Sequence, residues 1–388
     1  MRRVIVLGST GSIGRNALSV ITHLSSLPED ERRVFDVVGL AAGSNAETLF
    51  EQANTFGVEH VALASGSPNS SFEHLRIGTN AAEELIAAIA EPGDLIVAAM
   101  VGAAGIAAIQ TAIERGCDIA LANKETLVAA GELITRSAQH HGVSIIPIDS
   151  EHSGVLQALQ AGGPQRDDIK RVVLTASGGP FRTWSREKMD HASINDALAH
   201  PTWKMGPKVT IDSASLMNKG LELIEAHWLF GVDESKLDAI IHPQSIVHAL
   251  VEFTDGSVVA QLAPPDMKLP IQGALTWPDR LPGCITPLAL ETLGTLDFEP
   301  IDHGRFPAIN LALQVIAQGG TAGAIFNAAN EIAVEAFLSG SINFGRISGI
   351  VMDTINALDV HPADSLEAIA TADEEARRTA RRCAALVS

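Results

Sequence analysis

Two acidic residues stand two positions apart in Asp149-Ser150-Glu151-His152, just after the apolar run Ser144–Ile146. On an extended segment residues i and i+2 point the same way, so both carboxylates reach one cation. A third acid, Glu222, lies in Asn218-Lys219-Gly220-Leu221-Glu222 at the start of an expected helix. Three carboxylates with open coordination positions suit Mg2+ or Mn2+. Spacing alone more often means solvated loop acids. Short donors are grouped with them in kind: Ser177 in Ala176-Ser177-Gly178-Gly179, Ser213 in Asp212-Ser213-Ala214, and Asn218 with Lys219. Hydroxyls, an amide and one ammonium near a helix start make a local site for a phosphate. Any such site must be local. The chain has 46 Asp and Glu against 27 Lys and Arg, a formal charge of −19, which repels anions at long range. The same charge argues against nucleic acid or an anionic membrane surface as a partner.

A second kind of chemistry is written at the start. Gly8-Ser9-Thr10-Gly11-Ser12-Ile13-Gly14 follows the apolar run Val4–Leu7 and opens a helical pattern. Glycines let the backbone turn tightly against a pyrophosphate, and free N–H groups at the helix start bind its charge. The spacing is GxxGxxG rather than GxGxxG, and a ligand-free strand-to-helix turn would look similar. The second strand runs out into Gly43-Ser44-Asn45, with no carboxylate to repel a 2′-phosphate, which leans towards NADPH.

Asn123-Lys124-Glu125 falls at the end of an expected strand, where ligands of open parallel sheets bind, so Lys124 is a candidate for contact with substrate oxygens. His200-Pro201-Thr202-Trp203-Lys204-Met205-Gly206 lies in the long glycine-rich stretch 177–207, which reads as a lid; a bound ligand would give the Trp203 ring somewhere to bury. His242 and His248 read as structural, and Asn327, Asn330 and Glu331 as a buried polar network inside a helix.

These residues need a frame. Short apolar runs at Val4–Leu7, Val37–Ala41, Val61–Leu63, Leu95–Ala98, Ile119–Leu121 and Ser144–Ile146 alternate with helical spacing at Ile13–Leu24, Ala46–Phe56, Ala81–Ala90, Ala107–Arg115 and Leu127–Gln139. That alternation predicts an α/β, Rossmann-like doubly wound parallel sheet over about residues 1–149. Residues 64–71 read as a surface loop. A central α+β catalytic domain is expected over 150–285, with strands at Val172–Thr175, Ala239–Ile241, Ile246–Phe253 and Val258–Leu262 and a helix at Leu216–Leu229. A linker at 286–300 and a C-terminal helical bundle at 301–388 complete the order, from helical spacing at Ala308–Gln318, Ala322–Leu338, Ile347–Leu358 and Ser365–Leu386. The three scattered cysteines fit a reducing cytoplasm, the expected location, and no apolar span is long enough to cross a bilayer.

Taken together, Gly8–Gly14, Ala122–Glu125, Pro147–His152, Ala176–Phe181, Met217–Glu222 and Ile241–Ser245 resemble, in order, the signature blocks of the 1-deoxy-D-xylulose 5-phosphate reductoisomerase family. The resemblance implies a V-shaped homodimer, a sugar-phosphate substrate, and NADPH- and divalent-metal-dependent conversion of 1-deoxy-D-xylulose 5-phosphate to 2-C-methyl-D-erythritol 4-phosphate. It implies Asp149, Glu151 and Glu222 as metal ligands, and Ser177, Ser213, Asn218 and Lys219 as the phosphate site. His200 and Trp203 match the flap, and Lys124 and Ser150 the lining of the substrate oxygens. Thr10, Gly11, Ser12 and Ile13 match the cofactor loop, with Gly8, Gly43, Ser44, Asn45, Asn123, Glu125 and Gly206 as further cofactor contacts. Glu151 and Lys124 are candidates for proton movement. Four positions depart from the pattern: Ser44 replaces a usual Arg or Lys, Ser153-Gly154 a usual Asn-Ala, and Lys204 a usual Ser. Two other readings stay open: a dehydrogenase with no metal step, which would not need the three acids, and a cofactor sensor without turnover.

Overall fold

A computed structural model describes residues 1–66, 72–102, 104–162, 166–203 and 205–386, without the side chain of Arg166. Most of the expected loop 64–71 and Lys204 therefore lie outside the described residues.

The chain begins β1 (Arg2–Leu7), α1 (Ser12–Ser26), β2 (Phe35–Ala42), α2 (Ala46–Phe56), β3 (His60–Leu63), β4 (His74–Ile77), α3 (Ala81–Ile89), β5 (Leu95–Ala98), α4 (Gly105–Glu114), β6 (Asp118–Leu121), α5 (Lys124–His141), β7 (Ile145–Pro147) and α6 (Ser150–Ala161). It continues β8 (Ile169–Ala176), α7 (Arg186–Asp190), α8 (Ile194–Leu198), α9 (Pro207–Ser215), α10 (Met217–Phe230), β9 (Leu237–Ile241), β10 (Val247–Phe253), β11 (Val258–Leu262) and α11 (Lys268–Thr276). Four helices close it: α12 (Ala308–Gln318), α13 (Ala322–Leu338), α14 (Ile347–Ala357) and α15 (Leu366–Ala385).

Two compact units emerge. The first comprises 1–126, 134–153 and 266–287; the second comprises 127–133, 154–265 and 288–388. The units do not follow chain order: residues 266–287, with α11, return to the first, and the C-terminal helices share the second with the central strands.

The first unit is a seven-stranded parallel sheet in the order β4-β3-β2-β1-β5-β6-β7. Helices cover both faces of such a sheet, so its strands are apolar without alternation. Val4, Ile5 and Val6 of β1 are fully buried, as are Leu95, Ile96 and Val97 of β5. From β1 the chain winds outward through β2, then returns to β5 on the other side. This leaves the strand-order reversal between β1 and β5, where an open α/β sheet presents its ligand crevice.

In the second unit a four-stranded sheet has the order β11-β10-β8-β9, with β8 and β9 parallel and the other pairs antiparallel. Helix α13 is buried on nearly every side and lies among α12, α14 and α15. Its small residues allow this: at Gly323 a Cβ would stand 1.9 Å from the Val128 carbonyl oxygen. Among the described residues no helix is long and apolar enough to cross a membrane.

Candidate active site

The turn after β1 is built as its sequence demands. Gly8 has φ +84°, and a Cβ there would stand 2.4 Å from Ala99 O; at Gly14 a Cβ would stand 2.3 Å from Gly8 O. Both positions exclude any larger residue. Gly11 meets only Gly8 O, at 3.3 Å, and serves as N-cap of α1 without a side-chain bond to the helix. Gly11 and Ser12 are solvent-exposed, so the first N–H groups of α1 face outward from the strand-order reversal. This is the cradle a pyrophosphate needs, and it fits a dinucleotide.

Around it the expected cofactor contacts divide. Gly43, Ser44 and Asn45 are exposed after β2, and Asn45 Oδ1 accepts the Thr48 N–H at 3.1 Å as the cap of α2. Asn123 is 2% exposed and its side chain is committed internally. Its Oδ1 accepts Thr126 N–H at 2.9 Å, and its Nδ2 donates to Met100 O at 2.7 Å and Glu125 Oε2 at 2.9 Å. Asn123 therefore acts as a cap that fixes the start of α5 and, with it, Lys124 and Glu125. Gly206 caps α9 in extended conformation, with Pro207 following at the first helical position.

Lys124 and Asp149 meet in the first unit. The Lys124 ammonium donates to Asp149 Oδ2, and both side chains are mostly buried. Asp149 and Glu151 are not alternate positions of a strand, contrary to the extended segment expected from sequence. β7 ends at Pro147 and α6 begins at Ser150, so Asp149 precedes the helix and Glu151 lies in its first turn. Asp149 Oδ1 accepts the Glu151 N–H at 3.3 Å, and Ser150 Oγ donates to Glu151 Oε2. Carboxylates at a helix start are favoured by its exposed N–H groups, which displaces the strand geometry. Gly154, one of the departures, lies tightly on β10 in the second unit: a Cβ would stand 3.2 Å from the Ala249 methyl.

The second unit holds the phosphate candidates in two groups. Gly178 and Gly179 both have positive φ, which folds the chain after β8 so that Gly179 packs on the Ser213 carbonyl. His200 Nε2 then stands 3.0 Å from Ser177 Oγ and 3.1 Å from Ser213 Oγ. His200 Nδ1 accepts the N–H groups of Thr202 at 3.1 Å and Trp203 at 2.9 Å, so the ring proton sits on Nε2. Burial lowers the His200 pKa, in keeping with a neutral ring. The stretch 177–207 is not one loop; it carries the short helices α7 and α8, and Trp203 is half-buried.

Asn218, Lys219 and Glu222 form the other group. Asn218 Nδ2 and the Lys219 ammonium both donate to the Glu222 carboxylate, which is 1% exposed beside a 3% exposed lysine. The Glu222 carboxylate oxygens are the hard ligands a divalent ion takes, and such an ion would share them with the Lys219 and Asn218 donors. The two groups are joined at Leu216, the last cap of α9 and the first of α10, a buried non-glycine residue at φ 59°. This left-handed junction turns α10 against α9 and sets Ser213 and Asn218 on either side of it; such strain persists where the surroundings enforce it.

Helix α9 itself was not expected from sequence. Gly206-Pro207 was the available signal, a start with proline at the first helical position. On this helix Lys208 and Asp212 are an i,i+4 pair, with Nζ 2.7 Å from Oδ2. His242 is fully buried, with Nδ1 2.8 Å from Asp297 O and its ring stacked on Phe298, the structural role expected for it.

A glycine-turn Rossmann unit joined to a second α+β unit rich in phosphate and cation donors defines a dinucleotide-dependent enzyme class. Three family descriptions match the chain: 1-deoxy-D-xylulose 5-phosphate reductoisomerase at 4–131, its C-terminal domain at 145–230, and the DXP reductoisomerase C-terminal domain at 262–379. The chain belongs to the 1-deoxy-D-xylulose 5-phosphate reductoisomerase family. The reductoisomerase of Pelotomaculum thermopropionicum is 47% identical over 385 residues, 97% of each chain. The Zymomonas mobilis enzyme, solved with NADPH, superposes with a TM-score of 0.89 at 38% identity, covering 99% of this chain and 98% of the other. A DOX-P reductoisomerase solved with NADPH, fosmidomycin and magnesium gives 0.89 at 37%, covering 100% and 99%.

Proposed function

We propose that this chain rearranges and reduces 1-deoxy-D-xylulose 5-phosphate to 2-C-methyl-D-erythritol 4-phosphate, using NADPH and Mg2+ or Mn2+. The observation that carries the reading is the family match through both units, over the glycine turn of α1 and the buried Glu222 of α10 alike. The cradle formed by Gly8, Gly11 and Gly14 holds the cofactor pyrophosphate, with Thr10, Ser12 and Ile13 at the helix tip and Gly43, Ser44, Asn45 and Gly206 as further contacts. Asp149, Glu151 and Glu222 hold the cation. When bound, the cation polarises the substrate's carbonyl and neighbouring hydroxyl, and NADPH supplies the hydride.

The protein's own side chains do the rest. Ser177, Ser213, Asn218, Lys219 and the Nε2–H of His200 bind the phosphate. Lys124 and Ser150 orient the substrate oxygens, and Lys124 with Glu151 moves protons as the carbon skeleton breaks and rejoins. Trp203 closes over the substrate and excludes water. We place the enzyme in the cytoplasm as a homodimer. The edge strand β11, with Val258 and Leu262 exposed, is a surface that suits a second copy.

The test is NADPH oxidation with 1-deoxy-D-xylulose 5-phosphate, with and without Mg2+ or Mn2+. Oxidation requiring both substrate and metal is expected, and Glu222→Gln should abolish it while NADPH still binds. Folded, metal-loaded, NADPH-binding protein that leaves the substrate untouched would overturn the reading.

A further inference from the structure

Asp212 is a buried carboxylate, 1% exposed, one residue before Ser213. An unneutralised negative charge beside an anion site opposes binding, so its presence calls for a reason. Both its oxygens are held. Oδ2 faces Lys208 one turn earlier on α9. Oδ1 accepts the Asn330 amide at 2.9 Å, from the fully buried middle of α13, 118 residues further along. Helix α9 has only nine residues, no side-chain N-cap, and the left-handed Leu216 at its end, so its rotation is set by what it packs on: the buried Ile211 and Ala214, and the long-range side-chain bond from Asp212 to Asn330. Helix α13, by contrast, is anchored. Asn327 Nδ2 donates to Glu331 at 3.0 Å, and Arg377 of α15 donates to Glu331 and Asp373, each at 2.6 Å.

We infer that Asn330 is a positioning residue for the phosphate end of the substrate: its amide holds Asp212, and so sets the rotation of α9 that places Ser213 Oγ beside His200 and Ser177. The inference rests on the reading of Ser213 as a phosphate ligand. The helical bundle thereby acts on the reaction without touching the substrate. A displacement of about 1 Å in a binding group can cost about 100-fold in rate, so one buried hydrogen bond is enough to matter.

The experiment compares Asn330→Ala, Asn330→Asp, the double variant Asp212→Asn/Asn330→Asp, and Ser213→Ala, each as metal-loaded full-length enzyme. Asn330→Ala is expected to raise the KM for the sugar phosphate and the Ki of inorganic phosphate together, by about tenfold, the factor that goes with roughly 1.4 kcal/mol. The KM for NADPH should stay within about twofold, well under that tenfold step. Asn330→Asp sets two carboxylates against each other beside Lys208, and such a pair shares a proton at lower pH. Its defect relative to wild type should therefore shrink as pH falls, which that of Asn330→Ala should not. The double variant rebuilds the amide–carboxylate bond with reversed polarity and should recover most of the KM. If Ser213→Ala raises KM while Asn330→Ala leaves both KM and Ki unchanged, the inference fails and the phosphate reading stands. An unchanged KM in Ser213→Ala sinks both. Should Asn330→Ala fail to fold, the pH profile of Asn330→Asp and recovery in the double variant decide, and absence of both overturns the inference.

Discussion

His200 accepts the Trp203 N–H on Nδ1 at 2.9 Å, while its Nε2 stands 3.0 Å from Ser177 Oγ. His200 is thus held neutral, because protonating Nδ1 would set a ring N–H against two backbone N–H groups. Burial lowers its pKa from the ordinary 6.5. The unfolded chain then binds a proton that the folded chain refuses, so stability falls as pH drops through about 6.5. His200→Gln removes that contribution. Melting temperatures from pH 7.5 to 5.5 (roughly one unit either side of the free histidine value) should decline less steeply in the variant. Equal slopes would show that His200 does not carry the effect.

The two glycines of the cofactor turn should not respond alike. Gly14→Ala forces a methyl into the Gly8 carbonyl, whereas at Gly11 a Cβ would stand 3.3 Å from Gly8 O, a tight contact that a small shift relieves on an extended backbone. Gly14→Ala should cost about 1–3 kcal/mol of stability, the usual range for overpacking, and weaken NADPH binding. Gly11→Ala should cost clearly less, lowering the melting temperature by no more than about 2–4 °C, the shift that goes with about one kcal/mol in a domain of this size. Comparable destabilisation by both would contradict the packing described.

Ser44 is exposed at the end of β2, with no cation in the turn after it. Ser44→Arg should strengthen NADPH binding over NADH by about tenfold or more, as a hydrogen bond to a charged group contributes roughly 1.5–3 kcal/mol. Fluorescence titration with both cofactors checks this, and an unchanged ratio would place the 2′-phosphate elsewhere.

Cys117 is fully buried, its Sγ donates to Glu91 O at 3.4 Å, and burial pushes its pKa up to about 12. A thiol so rarely ionised is a poor nucleophile. Ellman's reagent should reach Cys284 and Cys383 in the native protein and Cys117 only after denaturation.

Much of this was legible in the sequence. Helix α2 and strands β5 and β11 fall on the residues their hydrophobic patterning predicts, because a 3.6 period or a short apolar run is a local property of the chain. The glycine turn was legible for the same reason: Gly8 and Gly14 are dictated by contacts within a few residues and by the neighbouring strand. So was the polar network of Asn327, Asn330 and Glu331, since an amide inside an apolar helix must find partners.

The rest was settled only in three dimensions. Asp149 and Glu151 read as neighbours on a strand, but α6 begins at Ser150, where Asp149 accepts the Glu151 N–H and the Ser150 hydroxyl turns to the Glu151 carboxylate. Helix α9, Pro207–Ser215, is rich in Val, Thr and Ser, which are weak helix formers, so its sequence advertises no helix. Burial of Ile211 and Ala214 and the grip of Asn330 on Asp212 create it. Sequence alone named the candidate residues for the chemistry and the type of most local elements. Tertiary structure decided which donors share a site, because hydrogen bonds such as Asn330–Asp212 join residues whose separation along the chain carries no periodic signal.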